Sequence, residues 1–185
     1  MKEKNKILAI SGSTRVQSTN LNYIRAIAQL SADIFEIKIF QGLTDLPHFN
    51  PDLDIEFLTA PEVVKSFRQL LREADGILIC TPEYAMGVPG TLKNAIDWTI
   101  SSCEFMHKPT ALVTASSQGS KGHVSLIETL NIIEAMMTPA TQLLIPVAKT
   151  KINSELKILD EKTLNELNSL IQELHHLALN KKESF

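Results

Sequence analysis

The sequence predicts an open, five-stranded parallel α/β sheet with helices on both faces, and three observations carry that expectation. Short apolar runs alternate along the chain with segments of helical periodicity, the pattern that parallel crossovers impose. Ile7 to Ile10 and Ile77 to Cys80 are too short for helices and too uniformly apolar for a strand with one wet face, and Ala111 to Ala115 is a third such strand. They read as central strands covered on both sides. Each is followed at once by a loop of unusual composition, which in sheets of this kind brings the loops together on the rim at the carboxyl ends of the strands.

Taken in order, Ile7 to Ile10 leads into Ser11 to Asn20 (SGSTRVQSTN), after which Leu21, Ile24, Ile27 and Ala28 recur at helical spacing through Leu30. Phe35, Ile37 and Ile39 alternate with Glu36 and Lys38, the period of a half-exposed edge strand. Gln41 to Ala60 holds Pro47, Pro51 and several aspartates with little periodicity, and reads as a long surface connection. Thr59 and Glu62 form a candidate capping box for an amphipathic helix with Val63, Val64, Phe67, Leu70, Leu71 and Ala74, closed by Asp75-Gly76. Beyond Ile77 to Cys80 comes Thr81 to Gly90, then a helix expected over Thr91 to Ile100. Ser116 to Gly122 follows the third apolar strand, Val124, Ile127 and Leu130 restore helical spacing, and Leu143 to Val147 supplies the fifth strand. Leu164, Leu167, Ile171, Leu174 and Ala178 mark a last helix with one buried stripe. His175 and His176 beside that stripe read as solvated surface.

Composition narrows the function classes. A chain of 185 residues with 44% hydrophobic content can bury a proper core, and its length suggests one domain over residues 1–185. A net charge of −3 with a pI near 6.0 argues against a nucleic-acid partner. No apolar run approaches the ~18 residues of a membrane span, and MKEKNK leads into a strand instead of a signal-peptide core. A cytoplasmic protein without a membrane partner is expected. Cys80 and Cys103 form no C-x-x-C pair, which suits a reducing compartment. The five histidines are scattered without ligand spacing, so no metal is expected.

The loop chemistry points to a phosphate and a flat ring. Ser11, Ser13, Thr14, Ser18 and Thr19 supply hydroxyls and Arg15 a guanidinium, while Gly12 allows close backbone approach. A helix starting near Ser18 to Asn20 adds its unpaired N–H groups and positive dipole end. A plain Ser- or Asn-capped helix start explains this loop alone equally well. The sequence has neither G-x-G-x-x-G nor G-x-x-x-x-G-K-[ST] at this loop, which disfavours Rossmann dinucleotide and P-loop sites. In the second loop, Pro82, Glu83, Tyr84, Ala85, Met86 and Gly87 offer stiff, approachable backbone for a polar-edged ring, with Tyr84 able to pack on it. A rigid helix-capping turn is the alternative. Glu83 has no His or Cys partner nearby and reads as structural. Ser116, Ser117, Gln118 and Gly119 can complete the other edge.

Two motifs, G-S-x-R-x-x-S-x-N at Gly12 to Asn20 and P-E-Y-x-x-x-x-P-G-x-L-K-N-A-I-D-W at Pro82 to Trp98, resemble the NADPH-dependent FMN reductase family of flavodoxin-like proteins. Leu46-Pro47-His48-Phe49-Asn50-Pro51 also resembles the family's connecting loop. The resemblance implies a flavodoxin-like three-layer α/β/α fold with strand order 2-1-3-4-5. It implies that Ser13, Arg15, Ser18, Thr19 and Asn20, next to Ser11, bind the phosphate of FMN, that Pro82 to Gly87 line the isoalloxazine ring, and that Ser116 to Gly119 close the site. NADPH or NADH would pass a hydride to the flavin, which would then reduce a small acceptor such as a flavin, quinone, azo or nitro compound by a ping-pong mechanism. A homodimer or homotetramer is implied, and Lys93, Asn94 and Asp97 would serve packing or subunit contact. Ala85 stands where many members have Asn, and Gln118, Ser120 and Lys121 stand in a loop that is usually Gly-rich. A flavodoxin-type carrier that does not oxidise NAD(P)H itself is the alternative, and a redox-inactive nucleotide sensor is a further one.

Overall fold

Five parallel strands alternate with five helices in the computed structural model, which describes residues 4–55 and 59–183. The strands are β1 (Asn5–Ser11), β2 (Phe35–Phe40), β3 (Gly76–Thr81), β4 (Thr110–Ala115) and β5 (Gln142–Ile145), and the helices α1 (Thr19–Leu30), α2 (Glu62–Glu73), α3 (Gly90–Asp97), α4 (Ser120–Ile132) and α5 (Glu161–Glu183). Their order in the sheet is β2-β1-β3-β4-β5. The chain therefore reverses direction across the sheet between β1 and β3, where the flavodoxin-like fold places its ligand crevice.

The pleat explains the three layers. Successive side chains on a strand face opposite sides, so Ile7, Ala9, Leu78 and Cys80 join α1 and α5 in one core through Tyr23, Ile24, Leu167 and Ile171. Leu8, Ile10, Ile77 and Ile79 join α2, α3 and α4 in the other through Val64, Phe67, Leu92 and Leu126. Both β3 and β4 are buried at every position, as uniformly apolar central strands must be. β2 pairs only with β1 and forms the half-exposed edge.

Several elements depart from the expectation. Glu62 is the first residue of α2 and Pro61 occupies its cap with no side-chain bond, while the Thr59 hydroxyl accepts the Ile55 amide at 2.9 Å. Proline forces the residue before it out of helical geometry, which moves Thr59 off the cap and dissolves the expected capping box. α3 stops at Asp97 instead of Ile100, and the carbonyl of Trp98 accepts Arg68 Nε at 2.7 Å in place of a helical amide. α4 buries Gly122, Leu126 and Leu130, with Val124 left 54% exposed. The inward face follows the close approach at Gly122, which the apolar spacing did not mark. β5 ends at Ile145, and Val147 takes a left-handed conformation with φ 53°. His175 is half-buried, since its Nδ1 pairs with Asn5 Nδ2 at 3.1 Å and its ring meets Phe35 edge-on.

The connection from Gln41 to Ala60, of which 56–58 lie outside the described residues, is more than surface. Leu43 and Leu46 are buried. Asn94 accepts the Phe49 amide at 2.8 Å and donates to the Pro47 carbonyl at 2.9 Å, which also receives Trp98 Nε1 at 2.8 Å. Asn94 is thus a packing residue, and Lys93 pairs with Asp97 at 2.5 Å along the exposed side of α3. Farther on, Asp54 is clasped by Arg68 through Nη1 at 2.9 Å and Nη2 at 2.6 Å, both side chains 2% exposed. Ser101 donates to the same carboxylate.

Candidate active site

The first loop is shaped by what it lies on. The Gly12 amide donates to the Cys80 carbonyl at 2.9 Å, and a Cβ on Gly12 would stand 2.2 Å from Thr81 Oγ1. Only glycine lets the loop after β1 nest against the end of β3. Ser18 is the N-cap of α1, its Oγ accepting the Leu21 amide at 3.3 Å. The amides of Thr19 and Asn20 precede the first helical hydrogen bond and so have no acceptor within the helix. Ser11 donates to the Ser13 carbonyl at 3.1 Å. Asn20, 4% exposed, accepts Cys80 Sγ at 3.4 Å and ties the start of α1 to β3.

The second loop is a two-residue hairpin. Tyr84 and Gly87 exchange backbone bonds of 3.1 Å and 2.9 Å, and Ala85 and Met86 between them have φ of 48° and 62°. Both positive angles define a type I′ turn, here built without Asn or Gly at its tip. Glu83 anchors the hairpin's base, since its Oε2 accepts the Gly122 amide in the first turn of α4 at 2.6 Å and its amide donates to Ser116 Oγ at 3.4 Å. A carboxylate there complements the helix N-terminus. A Cβ on Gly122 would lie 2.9 Å from the Gly87 carbonyl, so the hairpin seats directly on α4.

The third loop is stitched to the turn that follows β5. Ser116 donates its amide to Ile145 and accepts that of Ala148 at 3.0 Å, and the Ser117 carbonyl accepts the Val147 amide at 3.1 Å. Tyr23 of α1 donates its hydroxyl to the Ala148 carbonyl at 3.0 Å. Gly119, at φ 92°, caps α4.

Together these loops enclose a cleft of about 440 Å³, within the size range of small-ligand sites. Ser13, Arg15, Ser18, Thr19 and Asn20 line it, with Pro82, Glu83 and Tyr84 from the second loop and Ser116 and Ser117 from the third. Ser11 lines a neighbouring groove of about 370 Å³, which shares Ser13 and Arg15 with the cleft. Ala85, Met86 and Gly87 at the hairpin tip, and Gln118 and Gly119 at the start of α4, are not on the cleft wall. Gln17, Ala115, Val147, Ala148 and Lys149 are on it and were not anticipated. The loop after a fifth parallel strand emerges on the same rim as the others, and that rule was the available signal for Lys149.

Proton chemistry has few candidates here. Burial pushes the Cys80 thiol and the Tyr23 phenol up, which keeps both protonated. Burial lowers His123, whose Nδ1 pairs with Thr114 Oγ1 at 2.8 Å. The Glu83 carboxylate is engaged by α4. Among the described residues no cluster of His, Cys, Asp or Glu could hold a metal, and no helix is long and apolar enough to cross a membrane.

A parallel sheet with anion donors at its switch point, beside a cleft walled by proline, tyrosine and serine, defines an α/β protein that holds a phosphorylated cofactor. Residues 5–150 match the NADPH-dependent FMN reductase family, and the chain belongs to it. An NAD(P)H-dependent FMN reductase of Pseudomonas aeruginosa is 30% identical over 179 residues, covering 94% of this chain and 95% of that one. A quinone reductase of Escherichia coli (strain K12) is 29% identical over 173 residues, 90% of this chain and 92% of its own. An NADPH azoreductase of Bacillus sp. (strain OY1-2) is 34% identical over 127 residues, 68% of this chain and 66% of its own. Among solved structures, the flavoenzyme NAD(P)H:(acceptor) oxidoreductase FerB from Paracoccus denitrificans superposes with a TM-score of 0.81 at 25% identity, covering 95% of this chain and 98% of that one. The protein is an oxidoreductase with FMN as cofactor and a reduced nicotinamide nucleotide as co-substrate.

Proposed function

We propose that this chain seats the FMN phosphate on Ser13 to Asn20 and the ring beside Pro82 to Tyr84 and Ser116 to Ser117, and uses NAD(P)H to reduce a small planar acceptor by a ping-pong mechanism. The observation that carries the reading is the convergence of three loops, far apart in sequence, on one cleft that has anion donors at the start of α1. The donor set fits a phosphorylated cofactor, because hydroxyls, a guanidinium and unpaired first-turn amides are what a phosphate dianion requires. Once bound, FMN supplies hydride acceptance and electron release, chemistry that no side chain here could perform.

The chain's own residues bind and orient. Arg15 supplies charge for the phosphate, and Ser18 divides its hydroxyl between the Leu21 amide and the cleft. The hairpin's bonds run between Tyr84 and Gly87, which holds Tyr84 on the cleft wall beside the ring. Glu83 holds this hairpin on α4. Tyr84 lines the cleft while half exposed and offers a surface for a flat acceptor to pack on. The names of the quinone reductase and the azoreductase support quinone and azo compounds as the acceptor class. The same reading takes residues 1–185 as one FMN-binding domain, acting in the cytoplasm as a homodimer or homotetramer.

Anaerobic addition of NADPH to the FMN-loaded protein should abolish the yellow absorption, and a benzoquinone should restore it. A protein that stayed yellow would be an electron carrier instead. Arg15→Ala should weaken FMN binding by ~10- to 150-fold, since a charged phosphate contact is worth about 1.5 to 3 kcal/mol. Unchanged affinity in a fluorescence-quenching titration would remove Arg15 from the phosphate seat.

A further inference from the structure

Arg15 is not the cleft's only cation. Lys149 also lines it, carried by the short 3-10 turn Ala148–Thr150 after β5. It is exposed and makes no hydrogen bond or ion pair among the described residues, unlike Lys151 two positions on, which lies 3.6 Å from Asp160. The turn that presents it is held at a cost. Val147 is β-branched yet sits at φ 53°, a conformation such residues avoid. Four contacts keep it there: the Val147 and Ala148 amides on the Ser117 and Ser116 carbonyls, the Thr150 hydroxyl on the Val147 carbonyl at 2.9 Å, and the Tyr23 hydroxyl on the Ala148 carbonyl. The last of these joins the turn to α1 one helical turn beyond Thr19 and Asn20. The phosphate donors at the head of α1 and the lysine-bearing turn are therefore parts of one rigid assembly.

We propose that Lys149 is a second phosphate-binding cation of the cofactor cleft, acting with Arg15 on the FMN phosphate; this rests on the flavin reading above. The charge count favours it. A phosphate monoester carries about −1.5 to −2 at neutral pH, so a single guanidinium leaves it under-neutralised. A lysine serves as a mobile point charge where arginine gives a fixed fork. The strained turn is the scaffold that brings this charge from the far end of the sheet order to the β1 loop.

FMN and riboflavin differ only in the phosphate, and comparing them isolates the contact. The full chain freed of flavin and titrated by fluorescence quenching should bind FMN more tightly than riboflavin. Lys149→Gln should weaken FMN about tenfold and leave riboflavin unchanged, with a shallower salt dependence for FMN. Lys149→Arg should restore most of the loss. An unaltered thermal midpoint for Lys149→Gln is expected at this exposed position. Equal losses for FMN and riboflavin would overturn the assignment, and so would unchanged FMN affinity with a raised KM for NADPH, which would put the cation on the nicotinamide nucleotide. If the unmodified protein does not prefer FMN to riboflavin, the flavin seat itself fails and Lys149 falls with it.

Discussion

At Ala85 a methyl side chain is held at φ 48°, and at Met86 a longer one at φ 62°. Left-handed backbone costs an ordinary residue about 1–2 kcal/mol, whereas Asn relieves part of that by bonding locally. Ala85→Asn should accordingly raise stability by about 0.5–1 kcal/mol, read as a higher thermal midpoint, and a lower midpoint would show that the hairpin does not bear this strain. The strain was invisible beforehand because a type I′ turn is normally announced by Asn-Gly or Gly-Gly, and here the tip is Ala-Met. The candidate donors on the cleft wall were legible for the opposite reason. Ser13, Arg15, Ser18 and Thr19 crowd one short loop, and their chemistry is stated by residue type alone. Lys149 stands outside any such cluster, so only its place after β5 could have suggested it.

Among the elements, the long connection between β2 and α2 shows what periodicity cannot reveal. It is fastened by single polar side chains, Asn94, Trp98 and above all the Asp54–Arg68 pair, and isolated anchors of that kind leave no repeating pattern. Arg68 appears within the apolar face of α2 as a buried residue, the opposite of what its type suggests. The hydrogen bond from Arg68 holds the Asp54 carboxyl below the usual carboxylate range. A carboxylate so depressed stabilises the folded state above its unfolded pKa of about 3.9, and that contribution drains away as pH falls toward the lower folded value. Asp54→Asn should cost about 3–5 kcal/mol at pH 7, the penalty for stranding a buried charge. In urea melts the gap to the parent should narrow as pH drops below about 4; a constant gap would show that the pair does not titrate with folding.

The whole molecule was the easiest scale to anticipate. Central parallel strands must be apolar on both faces, so β1, β3 and β4 declared themselves by composition, and the alternation with helices supplied the layers. What escaped were features set by backbone packing between elements, such as the inward face of α4, which follows Gly122 against the hairpin. The architecture also bears on kinetics. On the proposed reading one cleft takes the cofactor, and nicotinamide and acceptor occupy the same place over it in turn. Double-reciprocal plots of rate against NADPH at several fixed quinone concentrations should be parallel, and intersecting lines would mean that both substrates bind together.

Gly12 and Thr81 have one more consequence. Because no side chain fits between them, even an alanine at position 12 would lever the β1 loop away from the start of the Pro82–Gly87 loop. The spacing of the two loops where they leave the sheet is consequently set by backbone contact and not by the length of a side chain.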